Sequence, residues 1–87
     1  MTEPLWRHLV GEQLRELRAS RGESLRTVAM RAGVSPQYLS EIERGHKEPS
    51  SEILAALTGS LDTTLLELTS SIAGSLAAPS AGVRLAA

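Results

Sequence analysis

Cysteine is absent from this chain, and so is phenylalanine. Without a thiol there is no disulfide framework and no thiolate to bind a metal or attack a substrate. Trp6 and Tyr38 are the only aromatic residues, so a core has to be built from Leu, Ala, Ile and Val. His8 and His46 are the only histidines, and two isolated imidazoles do not make a metal site. No apolar run nears the roughly 18 residues of a membrane span. The N-terminus lacks the basic-then-apolar pattern of a secretory leader. A soluble, cytoplasmic protein with no membrane partner is the expectation. Catalytic apparatus is missing too. Glu41 and Glu43 are two apart on a helix and diverge, no Gly-rich phosphate loop occurs, and no spacing assembles Ser, His and Asp. Neither enzymatic activity nor a cofactor is expected. The chain has 87 residues, enough for one domain with a thin core that benefits from a partner subunit.

Net charge is −1, from nine basic and ten acidic residues. Its distribution is uneven. Between Arg15 and Lys47 stand seven basic residues (Arg15, Arg18, Arg21, Arg26, Arg31, Arg44, Lys47) against four acidic ones (Glu16, Glu23, Glu41, Glu43), a surplus of three. Outside that block, Arg7 and Arg84 face six acidic residues, a deficit of four. Basic charge gathered in one segment suits a polyanionic partner.

Apolar periodicity and end signals predict an all-α domain of five short helices. The first spans about Pro4 to Arg21, with Thr2 as N-cap, a stripe of Leu5, Leu9, Val10, Leu14 and Leu17, and Gly22 as the stop. The second is capped by Ser24, carries Leu25, Val28, Ala29 and Ala32 on one face, and ends at Gly33. Small residues at Ala29 and Ala32 leave room for a close crossing. The third is capped by Ser35, with Pro36 in the first position, where a missing N–H costs nothing. Leu39 and Ile42 face inward, Val34 joins the core from the turn, and Gly45 ends the helix. Pro36, Gln37, Ser40, Glu41 and Arg44 cluster on the opposite side. Pro49-Ser50-Ser51 opens the fourth helix, whose stripe of Ile53, Leu54, Leu57 and Leu61 carries it through Gly59. Thr64 caps the fifth, with Leu65, Leu66, Leu68 and Ile72 as its apolar positions. The folded domain is expected over 1–72. An Ala/Ser/Gly-rich tail follows over 73–87, flexible from about Pro79.

The segment 25–44 has the layout of a helix-turn-helix: two helices joined by a short Gly-containing turn, Gly33-Val34-Ser35, at roughly a right angle. In that arrangement the second helix enters the major groove of DNA. Leu17-Arg18 with Gly22, Leu25 through Ala29, Gly33-Val34-Ser35 and Leu39 through Gly45 together resemble the XRE family of Cro- and phage-repressor-like DNA-binding domains, over about Leu14 to Leu68. The resemblance implies a phage-repressor-like fold and roles by position. Ser35 would hold a phosphate at the helix N-terminus. Gln37 would pair with adenine and Glu41 accept from cytosine, or Glu41 would be a solvated charge. Pro36, Tyr38 and Ser40 would flank them, with Tyr38 either on DNA or packed against the second helix. Arg44, His46 and Lys47 would grip the backbone, and Arg26 would reach a phosphate across the groove. Arg18 and Glu43 would form a structural ion pair between the first and third helices.

The wording from Ser35 to Glu52 is similar to a narrower group, the actinobacterial activators of Clp protease genes. This chain has His46 where that group more typically has Arg. The group resemblance also implies that Leu85-Ala86-Ala87 is a degron read by Clp protease, and that RNA polymerase is a further partner. On that reading, changing Ala86-Ala87 to Asp-Asp lengthens the half-life in a pulse-chase; an unchanged half-life would remove the degron. One domain touches too few phosphates for tight binding at physiological salt, so a homodimer on palindromic double-stranded DNA is expected. Trp6, Leu66, Ile72 and Leu76 are candidates for the dimer surface, and Trp6 could instead pack onto the fifth helix. An antitoxin or phage-type repressor of the same fold, or a helical protein-interaction module that ignores DNA, are the alternatives.

Overall fold

A computed structural model describes residues 5–74. They form α1 (Trp6–Ser20), α2 (Leu25–Ala32), α3 (Pro36–Glu43), α4 (Ser51–Ser60) and a fifth helical segment, α5, over 65–74. No strand occurs among the described residues. The all-α, five-helix expectation holds. Thr2, Pro4, Leu76, Arg84 and Leu85-Ala86-Ala87 lie outside the described residues. Helix α5 runs through Gly74, past the boundary expected at 72.

Local chemistry sets the ends. The hydroxyls of Ser24, Ser35 and Ser50 each accept from the amide three residues on, at 3.0–3.2 Å, filling one of the donors that every helix start leaves open. At α5 the exchange is reciprocal: Thr64 Oγ1 accepts from the Glu67 amide at 3.1 Å, and a Glu67 carboxylate oxygen accepts from the Thr64 amide at 3.1 Å. This capping box was readable as Thr-x-x-Glu. Helix α1 differs from expectation. It begins at Trp6 with Leu5 as an N-cap that offers no side-chain bond, and Leu5 is 48% exposed. Leu5 therefore belongs to the surface and not to the buried stripe, because the helix starts only after it.

The core comprises Val10, Leu14, Val28, Ala29, Leu39, Ile42, Leu57, Leu61, Leu68 and Ile72, with Leu9, Leu17, Leu25, Ala32, Val34, Tyr38, Ile53 and Leu54 packed around it. Helix α1 lies on α3, and α2 packs on both α3 and α4. Ile72 sits inside this core, so it is not available to a dimer surface; its place four residues after Leu68 puts both on the inward face of α5. Gly11 is where α1 and α3 come closest. A Cβ there would run into the carbonyl oxygens of Ile42 and Glu43, the latter at 2.8 Å. A glycine inside an apolar-periodic helix signals such an approach.

Glu23 gathers a polar clasp around the ends of three helices. Glu23 receives Arg31 through both carboxylate oxygens, at 2.7 and 3.2 Å, and Arg21 Nε at 2.9 Å. Arg31 also donates to the Ser60 carbonyl at 2.7 Å, and Arg21 approaches Asp62 at 3.1 Å. The chain ends of α1 and α2 thus meet at one carboxylate, and its two arginines reach on to the end of α4. Hydrogen bonds from Arg31 first and Arg21 second lower the Glu23 pKa from 4.5 to about 2. Because the folded value lies below the unfolded one, this contribution is full above about pH 4.5 and is lost as pH falls toward 2. Glu23→Gln is expected to melt below the unsubstituted chain at neutral pH, with the gap narrowing through that window. A gap that stays constant across those pH values would refute this.

Candidate nucleic-acid interface

The turn between α2 and α3 is set by Gly33. Its φ of 77° is left-handed, which glycine adopts without steric cost. There the Val34 amide donates back to the Ala29 carbonyl at 2.9 Å. The chain reverses, Val34 drops onto the core, and α3 emerges with Pro36 and Gln37 exposed. Ser35 Oγ is occupied as acceptor for the Tyr38 amide at 3.0 Å, but its O–H remains free to donate. Pro36 has no N–H, and Tyr38's is taken, so the Gln37 amide is the open donor of the first turn.

The expected site residues fall into three groups. At the N-terminal end of α3, Arg26, Met30, Val34 and Pro36 line one shallow groove of about 270 Å³, so Arg26 does stand beside the start of the helix. At the other end, Arg44, His46 and Lys47 are exposed, and Arg44 shares a groove of about 610 Å³ with His8, Leu9, Glu12, Arg15 and Glu43. Between them, Gln37 is exposed while Ser40 and Glu41 are half-buried. Tyr38 is half-buried and packs against the core, so its ring is first a structural element. An eight-residue helix is about 12 Å long, close to the width of the major groove.

The charge surplus is smaller and more focused than the sequence suggested. Arg18 is bidentate to Glu43, at 2.8 and 2.9 Å, and its third branch donates to the Glu23 carbonyl at 3.0 Å. Arg21 and Arg31 are held by Glu23. Three arginines of the basic block are thus structural, and two of its glutamates are consumed with them. Four basic residues remain there, Arg15, Arg26, Arg44 and Lys47, against Glu16 and Glu41. Three of the four stand at the ends of α3. The Glu43 bond raises the Arg18 pKa, with burial opposing, so that guanidinium is a fixed charge.

These features define the class: an all-α helix-turn-helix domain that presents its second helix outward, with cations at both ends. The chain belongs to the helix-turn-helix family, whose model matches residues 14–68. It is similar to the transcriptional regulator ClgR of Mycobacterium tuberculosis, 54% identical over 61 residues, which is 70% of this chain and 54% of that protein. The crystal structure of the clp gene regulator ClgR from Corynebacterium glutamicum superposes with a TM-score of 0.84 at 45% identity, over 98% of this chain and 90% of that one. The restriction-modification controller protein C.AhdI from Aeromonas hydrophila follows the same path, with a TM-score of 0.69 at 34% identity, over 71% and 94% of the two chains. The chain spans about half the length of the curated ClgR proteins it matches. No helix among the described residues is long and apolar enough to cross a membrane, and none of their acidic or histidine side chains gather into a metal-binding group.

Two features escaped the sequence reading. One is the Glu23 clasp. The other is Arg7, whose Nε donates to the Gly45 carbonyl at 2.9 Å across 38 positions of chain.

Proposed function

We propose that this chain is a sequence-specific DNA-binding transcriptional regulator that activates Clp protease genes from palindromic operators as a homodimer. The observation that carries the DNA reading is the placement of Arg26 at one end of α3 and Arg44, His46 and Lys47 at the other, with Gln37 exposed between them. Positioning contacts at both ends of the helix, with a reading side chain in its exposed first turn, is the division of labour that groove recognition needs. Similarity to ClgR proteins supports the choice of target genes. Dimerisation is favoured by the exposed Leu5, Trp6, Leu65 and Leu66, apolar surface that a second subunit would cover.

The test is a footprint of the purified chain on DNA upstream of its own gene and of Clp protease genes, with the salt dependence measured. Two protected half-sites are expected, centred about one helical turn apart, with affinity falling steeply as salt rises. Protection of a single half-site would remove the dimer. Binding indifferent to salt, or none at Clp promoters while other sites are protected, would remove the DNA grip or the gene assignment respectively.

A further inference from the structure

The loop after α3 carries His46 and Lys47, both exposed, and something must hold it in place. From inside, the Gly45 amide donates to the Ile42 carbonyl at 3.0 Å and the His46 amide to the Glu41 carbonyl at 2.9 Å. Those bonds close the helix end but do not use the Gly45 carbonyl. From outside, Arg7 Nε takes the Gly45 carbonyl at 2.9 Å. Beside it, the ring of His8 lies against the Gly45 Cα, where a Cβ would collide with the imidazole. Gly45 is buried with a φ of 77°. It is required twice over, for its left-handed backbone and for the space that His8 fills.

We propose that Arg7 is a positioning residue for DNA binding: it fixes the Gly45 carbonyl, and through it aims His46 and Lys47 at the phosphate backbone. The inference rests on the DNA-binding reading above. Its physical basis is preorganisation. A loop held before the encounter loses less freedom on binding than one ordered by the DNA. Arg suits the role, because Nε can be spent on the carbonyl while the rest of the side chain stays half-buried. The close crossing at Gly11 and the Arg18–Glu43 pair register the rest of α1 against the same end of α3. Arg7 is the last of three ties, and the one nearest the phosphate-facing loop.

The experiment is a two-by-two comparison in the full chain: Arg7→Ala, the pair His46→Ala/Lys47→Ala, and all three together. The probes are a duplex of roughly 30 base pairs spanning two half-sites from upstream of the chain's own gene, and a random-sequence duplex of equal length. Arg7→Ala is expected to weaken binding to both about tenfold and to flatten the salt slope by up to about 1.8 per dimer, one phosphate lost per subunit. In the His46→Ala/Lys47→Ala background the same change should cost less than about twofold, since the contacts it aims are gone. Arg7→Lys, which keeps a donor, should recover part of the loss and guards against an Ala variant that folds poorly. Thermal melting of each variant separates stability from aim. An unchanged affinity and slope in Arg7→Ala would overturn the inference while leaving the DNA reading intact. So would a full-sized loss in the background lacking His46 and Lys47, which would make Arg7 a phosphate contact in its own right. Failure of the unsubstituted chain to bind either duplex would overturn both.

Discussion

Arg18→Met is expected to lower the melting temperature by roughly 12–24 °C, and the double change Arg18→Met/Glu43→Leu to restore most of it. The single change leaves the Glu43 carboxylate, 5% exposed, without the two guanidinium bonds at 2.8 and 2.9 Å that satisfy it. Removing one partner of a buried pair costs about 3–5 kcal/mol, because the other charge stays behind uncompensated. Arg18 is 19% exposed, so solvent softens the penalty and the lower end, about 3 kcal/mol, applies. In a domain of this size each kcal/mol moves the melting point by about 4–8 °C. Replacing both partners by apolar side chains removes the stranded charge and fills the space, which is often neutral or better. Glu43→Gln should fall between, since an amide oxygen still accepts from Arg18. Thermal denaturation of the three variants decides the matter. Equal melting of Arg18→Met and the unsubstituted chain would mean that the pair holds nothing together.

That pair entered the sequence reading through family resemblance, and no spacing rule would have found it. The contrast with the helix ends is instructive. Ser24, Ser35 and Thr64 were legible as caps because a cap acts within four residues, and the Gly33 turn was legible because only glycine makes it cheaply. The Glu23 clasp gathers positions 21, 23, 31, 60 and 62, and the Arg7 bond joins 7 to 45. Such pairings depend on how helices cross, which periodicity does not specify. The same limit misled the charge count. Arg18 was assigned to its pair with Glu43, but a count of basic residues gives no sign that Arg21 and Arg31 are spent on architecture as well. The close approach at Gly11 is of the same kind, since it depends on where α3 crosses α1. Leu5 moved to the surface for a simpler reason, a helix start shifted by one or two residues, whereas Ile72 follows the register of Leu68 into the core.

Gln37→Ala is expected to weaken operator binding by roughly 30-fold to 20,000-fold while leaving the salt slope untouched. Gln37 is exposed in the first turn of α3, and its amide can pair bidentately with the edge of an adenine. Such a pair contributes about 1–3 kcal/mol of discrimination. A dimer makes it twice, so about 2–6 kcal/mol is at stake, with each 1.4 kcal/mol worth tenfold. The side chain is uncharged and releases no counterions, so the slope of affinity against salt should stay where it was. Lys47→Ala should behave in the opposite way. Two phosphate contacts per dimer disappear, the slope flattens by about 1.8, and all sequences weaken alike. The loss in Gln37→Ala should also be confined to one symmetric pair of positions in the operator; substituting that base pair should cost the unsubstituted chain dearly and the variant almost nothing. Titrations over a panel of single-base operator variants at two salt concentrations separate the possibilities. If Gln37→Ala weakened every duplex equally, the outward face of α3 would be gripping DNA without reading it at this position, and the reading would have to shift one turn along to Glu41. There a carboxylate, half-buried and repelled by phosphates, favours a base amino group, that of cytosine above all.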